Sequence, residues 1–299
     1  MQKCVAFFID KTHSIGYTYS MIKKILAFSI LLSLGASPSF AIENGQKENN
    51  ISRVVVLYWE QQPGCSGYLY EPRIVFTAAH CLIHAHLPTY VGLPNQTAGP
   101  NAEKVSIQDI LFADQYNKLS PYENDFAILI LSKPIEINNK IVLLNEEIKN
   151  KIYNGQVQAK ISGYGYQSPS RNEAEIVRDA HFFYGTIVNI SNEIEISNNG
   201  DGGVCSGDSG GPNTIIYEGE EVYLGATSHG WNQPNCGLWN GGGKKTLLFD
   251  PVYKHVSLID NAKLMVASVI VTKKQNTVIK NKSTIKKKCI KLKNRKCKK

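Results

Sequence analysis

The segment CSGDSGGP at residues 205–212 places a serine, Ser209, in a glycine-rich turn beside an aspartate. Acyl transfer by a serine hydroxyl needs a base for its proton, an acid that orients the base, and amide donors for the oxyanion. The chain offers His80 in VFTAAHC and Asp125 in NDFAILIL. These three residues are therefore candidates for nucleophilic catalysis.

Three motifs in this order, TAAHC, DFAIL and GDSGGP, resemble those of the chymotrypsin/trypsin (S1) family of serine endopeptidases. SGYG at 162–165 resembles the family's S-G-W-G segment, with Tyr164 in place of tryptophan. The resemblance implies hydrolysis of proteins or peptides through an acyl-enzyme, without a cofactor. It also implies an all-β fold of two antiparallel six-stranded β-barrels, with the catalytic residues between them.

The resemblance assigns a role to each candidate. Ser209 would be the nucleophile, and His80 the general base and then the acid for the leaving amine. Asp125 would accept the other ring N–H of His80 and fix its tautomer. The backbone N–H groups of Gly207 and Ser209 would form the oxyanion hole, where a side chain at 207 could turn the donor away. A relative that keeps this fold without activity is the alternative.

Asp208 matches a family carboxylate that is buried against a newly made N-terminal ammonium. The segment IENG begins at Ile42, resembles the family's I-V-G-G start, and lies 23 residues before Cys65. Cleavage of a signal peptide after Ala41 would release Ile42 directly. We therefore expect signal peptidase itself to create the active terminus, the alternative being that IENG is only a polar start.

The primary specificity pocket of the family is floored by the residue six before the nucleophile. That residue is Gly203, with Val204 beside it. The segment Ser228-His229-Gly230 resembles the family's S-W-G wall, and Ser228 is expected to offer its backbone to a strand-like substrate. Glycine at the floor predicts an uncharged pocket with a chymotrypsin- or elastase-like preference, unless a loop shift brings in Asp201.

The cysteine count agrees with an oxidising compartment. Of seven cysteines, Cys4 lies in the predicted signal peptide, which leaves an even number. The resemblance implies a histidine-loop disulfide and a pocket disulfide, and seven residues separate a third pair that could close a small loop. The three pairs are Cys65–Cys81, Cys205–Cys236 and Cys289–Cys297.

Residues 1–41 have the pattern of a secretory signal peptide with an extended amino region. Lysines follow Met21, and the apolar run ILAFSILLSL over Ile25–Leu34 is too short to span a bilayer. Small residues precede the cleavage site at Ala41. The pattern, typical of bacteria, predicts a secreted protein, extracellular or periplasmic. A buried core helix is the alternative, and either Met1 or Met21 could be the true start.

The net charge of +8 combines two opposite parts. After Thr272 the chain has thirteen Lys or Arg and no acidic residue, whereas residues 42–272 have sixteen basic and twenty-four acidic residues. The Lys-rich tail, assigned to 267–299, could bind an anionic surface such as lipopolysaccharide, nucleic acid or phospholipid. It could also fold back on the acidic body or be a solvated extension. The alternative function is thus a surface-binding or adhesin-like protein on a protease fold.

The segment HCLIHAH raises the question of a metal, because His80 and His84 are one helical turn apart and His86 follows. No acidic ligand lies nearby in the sequence, and Cys81 has a better partner. We therefore expect solvent-facing histidines and no metal.

Short β-branched or aromatic runs between turn residues predict an all-β body. One late segment, 251–266, has apolar residues at helical spacing and an initial proline, which predicts a C-terminal helix. We expect a monomeric protease domain at 42–266, with barrels at about 42–150 and 151–250. The predicted strands are 53–59, 73–79, 126–131, 157–165, 192–197 and 222–231.

Overall fold

The structure, a computed structural model, describes residues 42, 45–48, 53–83, 86–119, 122–137, 139–153, 157–165, 179–198, 203–231 and 245–270. The chain divides into two compact units, Met1–Ser39 and Phe40–Lys299, and every described residue belongs to the second.

Six strands close into an antiparallel barrel. They are β2 (Val54–Trp59), β3 (Gln62–Glu71), β4 (Ile74–Thr77), β5 (Tyr90–Gly92), β6 (Lys104–Phe112) and β7 (Ala127–Leu131). Their order is β2-β3-β4-β7-β6-β5, and pairing of β5 with β2 completes the barrel. Every residue of β7, with the sequence AILIL, is buried, because its side chains pack both inside the barrel and outside against the rest of the fold.

Nine strands form a second, curled sheet. They are β1 (Gln46–Lys47), β8 (Val142–Leu143), β9 (Gln158–Gly163), β10 (His181–Ile190), β11 (Ile194–Asn198), β12 (Pro212–Tyr217), β13 (Glu220–Ala226), β14 (His229–Trp231) and β15 (Lys245–Phe249). Their order is β14-β15-β11-β10-β9-β12-β13-β8, with β1 paired to β10. Strand β8 joins β13 in parallel, whereas the other described pairs of this sheet are antiparallel.

Helices are few among the described residues. Helix α1 (Glu146–Ile152) begins at Asn145, whose side chain accepts the N–H of Ile148 at 2.9 Å, and acidic residues in its first turn suit the helix dipole. A 3₁₀ turn at Val252–His255 leads into helix α2 over residues 256–270. Within the described ranges no helix is both long and apolar enough to cross a membrane.

The barrel and the second sheet share one hydrophobic core. The ring of Tyr68 on β3 stacks on Tyr223 of β13 at 4.8 Å between centroids, and Phe76 of β4 packs on both Phe126 and Tyr223. These aromatic side chains are fully buried and fix the two bodies against each other. The loops that meet at this junction include those with the predicted catalytic residues.

The predicted fold class is confirmed: the chain is mostly β, with a closed six-stranded barrel, a second curled sheet and a C-terminal helix. Among the described residues the second body contains nine strands where six were expected, partly because two-residue strands such as β1 and β8 leave no sequence pattern. The run predicted as a strand over 73–79 ends at Thr77, because a 3₁₀ turn begins at Ala79. The domain boundaries stay predictions.

Candidate active site

His80 and Asp125 are brought together by neighbouring strands. His80 lies in a 3₁₀ turn that follows β4, and Asp125 lies two residues before β7, which pairs with β4 through Thr77 and Ala127. Asp125 Oδ2 lies 2.7 Å from His80 Nδ1, and its Oδ1 accepts the backbone N–H of His80 at 2.7 Å. The side chain of Asp125 is fully buried and that of His80 is 20% exposed. This pair can hold one imidazole tautomer and leave Nε2 for proton exchange.

Two further residues hold Asp125 in place. The Ser228 hydroxyl donates to Asp125 Oδ2 at 2.5 Å, and the backbone N–H of Asp125 donates to Asp250 Oδ2 at 2.8 Å. Asp250 is itself buried and pairs with Lys254 at 3.0 Å. The sequence predicts only a backbone role for Ser228, and it gives no signal for Asp250, which belongs to no motif.

Ser209 lies half-buried on the turn that precedes β12. Its carbonyl accepts the N–H of Ser66 at 2.8 Å and is 3.7 Å from the sulfur of Cys81, which in turn is 3.9 Å from His80 Nε2. The backbone of Ser209 and the ring of His80 therefore share one neighbour, Cys81. In the described part of the chain no hydrogen bond joins the Ser209 hydroxyl to His80, a bond that often tightens only with substrate bound.

The turn that carries Ser209 uses backbone conformations that favour glycine. Gly207 has φ +100° and Gly210 has φ +80°, both in the left-handed region. The carbonyl of Gly207 accepts the Ser66 hydroxyl at 2.7 Å, and the N–H of Gly210 donates to Thr227 at 2.8 Å. The two amides predicted to form the oxyanion hole thus lie two residues apart on one restrained turn.

Asp208 points into the protein interior. Its carboxylate is fully buried and accepts the N–H groups of Gly165 and Cys205, each at 2.7 Å. A β-carbon at Gly163 or Gly165 would overlap this carboxylate, which explains the two glycines of SGYG. Ile42 is fully buried in the shared core. Residue 42 has a peptide nitrogen in the uncleaved chain, so the ion pair between Ile42 and Asp208 stays a prediction.

The residues assigned to the substrate pocket precede and follow the Ser209 turn in the chain. Gly203 is buried, Val204 packs partly against the core, and Gly230 is half-buried on β14. The ring of His229 stacks on Tyr122 with centroids 4.6 Å apart. Burial lowers the pKa of His229, which favours the neutral form of its ring.

A cavity of about 470 Å³ adjoins His229 and Asp250. Two carboxylates on its wall, those of Glu123 and Glu193, face a single ammonium, that of Lys254, which is already paired with Asp250. Burial, with the charge of Asp250 as the next cause, raises the pKa of Glu193. Acidic groups therefore outnumber basic ones among the described residues that line this cavity.

The Cys65–Cys81 disulfide is present and adjoins His80. Its two sulfurs and the His80 ring lie within 4.8 Å of one another, but disulfide sulfurs are not thiolates and cannot act as the usual metal ligands. Cys4, Cys236, Cys289 and Cys297 lie outside the described residues, as do His84, Asp201 and the Lys-rich tail beyond residue 270.

Comparison with known proteins identifies relatives of this chain. A family model described as Trypsin matches residues 42–241, more than half of the chain. Thrombin-like enzyme gyroxin B1.3 of Crotalus durissus terrificus is 27% identical over 261 residues, covering 80% of this chain and 94% of the relative. Trypsin zeta of Drosophila melanogaster is 28% identical over 173 residues, covering 52% and 61%. Vitamin K-dependent protein C of Rattus norvegicus is 27% identical over 214 residues, covering 65% and 46%, so the chain spans less than two thirds of these last two.

Proposed function

The chain belongs to the trypsin family of serine proteases, and from that premise we propose that it is an endopeptidase acting through a Ser-His-Asp triad. The observation that carries the proposal is the buried Asp125 carboxylate, which holds His80 by two hydrogen bonds of 2.7 Å beside the turn of Ser209. Such an arrangement orients a base next to a hydroxyl. The substrates would be proteins or peptides, as befits the family, and no cofactor takes part.

In the proposed reaction the Ser209 hydroxyl attacks the scissile carbonyl carbon and its proton passes to His80 Nε2. Asp125 stabilises the imidazolium, and the N–H groups of Gly207 and Ser209 stabilise the oxyanion. Collapse of the tetrahedral intermediate breaks the C–N bond, and His80 returns the proton to the leaving amine. Water then attacks the acyl-enzyme, with His80 again the base, and releases the new carboxylate with Ser209 restored.

The primary pocket is proposed to be uncharged, because Gly203 occupies the floor position where an aspartate would bind a basic side chain. In a peptide mixture varied at the residue before the cut, we expect kcat/KM after Phe, Tyr or Leu to exceed that after Lys or Arg by at least about tenfold. A matched variant, Gly203→Asp, should shift the preference towards Lys or Arg. Cleavage by the unaltered enzyme mainly after Lys or Arg would show that the floor is assigned wrongly.

Activation is proposed to follow from signal cleavage alone, because Ala41 both fits the cleavage site and precedes Ile42. The new ammonium would pair with the buried Asp208 carboxylate, because ion pairing offsets the cost of burying either charge. We expect the intact mass of the exported protein to begin at Ile42. A protein made with one extra methionine before Ile42 should lose activity by at least about tenfold, since the terminus would no longer reach Asp208. Full activity of that extended protein would refute this route.

Export to an oxidising compartment is part of the proposal, since a disulfide such as Cys65–Cys81 persists there. The monomeric state and the binding of the Lys-rich tail to an anionic surface are also proposals. Deletion of 273–299 should then abolish retention on heparin without loss of peptidase activity. Retention that survives the deletion would remove the surface-binding alternative.

A further inference from the structure

Ser66 on strand β3 connects the barrel to the turn of the nucleophile. The residue is fully buried, and its backbone N–H donates to the carbonyl of Ser209 at 2.8 Å. Its own carbonyl accepts the hydroxyl of Thr77 on β4 at 2.8 Å. Both the N–H and the carbonyl of Ser66 are thus hydrogen-bonded. These bonds hold its backbone in place and so fix the position of its side chain.

The Ser66 hydroxyl joins two backbone groups next to strands of the second sheet, one just after β9 and one on the turn before β12. It accepts the N–H of Tyr164 at 2.8 Å and donates to the carbonyl of Gly207 at 2.7 Å. A hydroxyl has one donor, so the bond to Tyr164 leaves its proton free for Gly207. No alkyl side chain can replace this bridge, and its loss would leave the buried N–H of Tyr164 without a partner.

The hydrogen bonds of the Ser66 hydroxyl restrain Gly207, whose backbone is otherwise free to rotate. Gly207 has φ +100° and, as a glycine, can rotate at little steric cost. Its N–H lies in the peptide with Ser206 and its carbonyl in the peptide with Asp208. The bond from Ser66 to that carbonyl fixes the second peptide and the Cα of Gly207, which limits how far the N–H can move from the place of a developing oxyanion. From this geometry we infer that Ser66 is a positioning residue for the oxyanion hole, an inference that rests on the proposed endopeptidase function.

The test is Ser66→Ala in the mature enzyme, measured with a peptide substrate and with a peptide boronic acid that binds serine as a tetrahedral anion. We expect kcat to fall on the order of tenfold, less than the 10²–10³ that loss of a whole donor costs, with KM changed by less than about twofold. The affinity for the boronic acid should fall in parallel with kcat, because both depend on the oxyanion donors.

Two variants separate positioning from general destabilisation. Ser162→Ala removes another buried hydroxyl, one that bonds Glu48 at 2.6 Å, and should change kcat by less than about twofold. Ser66→Gly leaves room for a water that can accept from Tyr164 and donate to Gly207, so it should retain more kcat than Ser66→Ala. A purely structural role predicts the reverse order, since glycine destabilises a strand.

Unchanged kcat and boronic acid affinity in folded Ser66→Ala, beside an active parent enzyme, would overturn this inference and leave the proposed function intact. A loss confined to KM, or an equal loss in Ser162→Ala, would overturn it too. If the folded parent enzyme cleaves nothing and binds no boronic acid, the proposed function fails and the role of Ser66 fails with it.

Discussion

Ser209→Ala is expected to lower kcat by a factor on the order of 10⁵–10⁶ while the protein stays folded. The side chain is proposed to supply the attacking oxygen, which alanine lacks. The main contacts of the residue are made by its backbone, whose carbonyl accepts the N–H of Ser66 at 2.8 Å and is unaltered by alanine. We therefore expect the variant to lose activity and not stability. Its melting temperature should stay within a few degrees of that of the parent enzyme.

Ser206→Ala is the matched control, because Ser206 is an exposed serine on the same turn. It should keep kcat within about threefold of the parent enzyme, as expected for a surface substitution. The measurement is the initial rate of peptide cleavage at saturating substrate, with folding checked by circular dichroism. Retention of more than about one per cent of the activity by Ser209→Ala would show that another group is the nucleophile.

Asp125→Asn is expected to lower kcat on the order of 10⁴-fold. The Asp125 carboxylate faces three donors: the backbone N–H and the ring Nδ1 of His80, and the hydroxyl of Ser228. An amide offers one acceptor oxygen, and its NH₂ would face a donor. The imidazole would then favour the tautomer with the proton on Nε2, which cannot accept a proton from Ser209.

Asp179→Asn is the control for this substitution. Asp179 is also partly buried and hydrogen-bonded, to Thr97 at 2.6 Å and Lys47 at 2.5 Å, but none of these contacts involves the catalytic residues. It should therefore change kcat by less than about twofold. Asp125→Asn with activity within about tenfold of the parent enzyme would mean that His80 is oriented by another group.

Much of the candidate site could be predicted from the sequence, because its members lie in short motifs whose order is distinctive. The structure brings His80 and Asp125 into contact and places the backbone of Ser209 beside Cys81, whose sulfur also lies close to the His80 ring. Burial of Asp208 against two glycines likewise agrees with the contexts GDSGGP and SGYG.

The supporting residues could not be predicted, because their roles depend on contacts between distant parts of the chain. Ser66 and Gly207 are 141 residues apart in the sequence. Asp250, which accepts the backbone N–H of Asp125, is 125 residues away from it. Neither Ser66 nor Asp250 lies in a motif that distinguishes it from other serines or aspartates. Their positions follow from strand pairing and from packing of the barrel on the second sheet.

The sequence predicts the all-β fold class but not every strand. Strand β3 begins QPGCSG, and proline and glycine favour turns, so only its later residues have the composition of a strand. Strand β10, HFFYGTIVNI, alternates buried and less buried residues over much of its length. In the sequence the same residues do not alternate between apolar and polar, because Tyr184 and Val188 are exposed, so only their aromatic and β-branched composition favours a strand.

The most direct test of the account is covalent labelling of the mature enzyme with a phosphonate ester that carries a good leaving group. Ser209 Oγ should attack phosphorus and expel the leaving group, which adds one phosphonyl group per chain. Intact mass and peptide mapping should place the label within residues 205–212 and find none in Ser209→Ala. A folded parent enzyme that takes up no label, or takes it up elsewhere, would contradict the claim that Ser209 is an activated nucleophile.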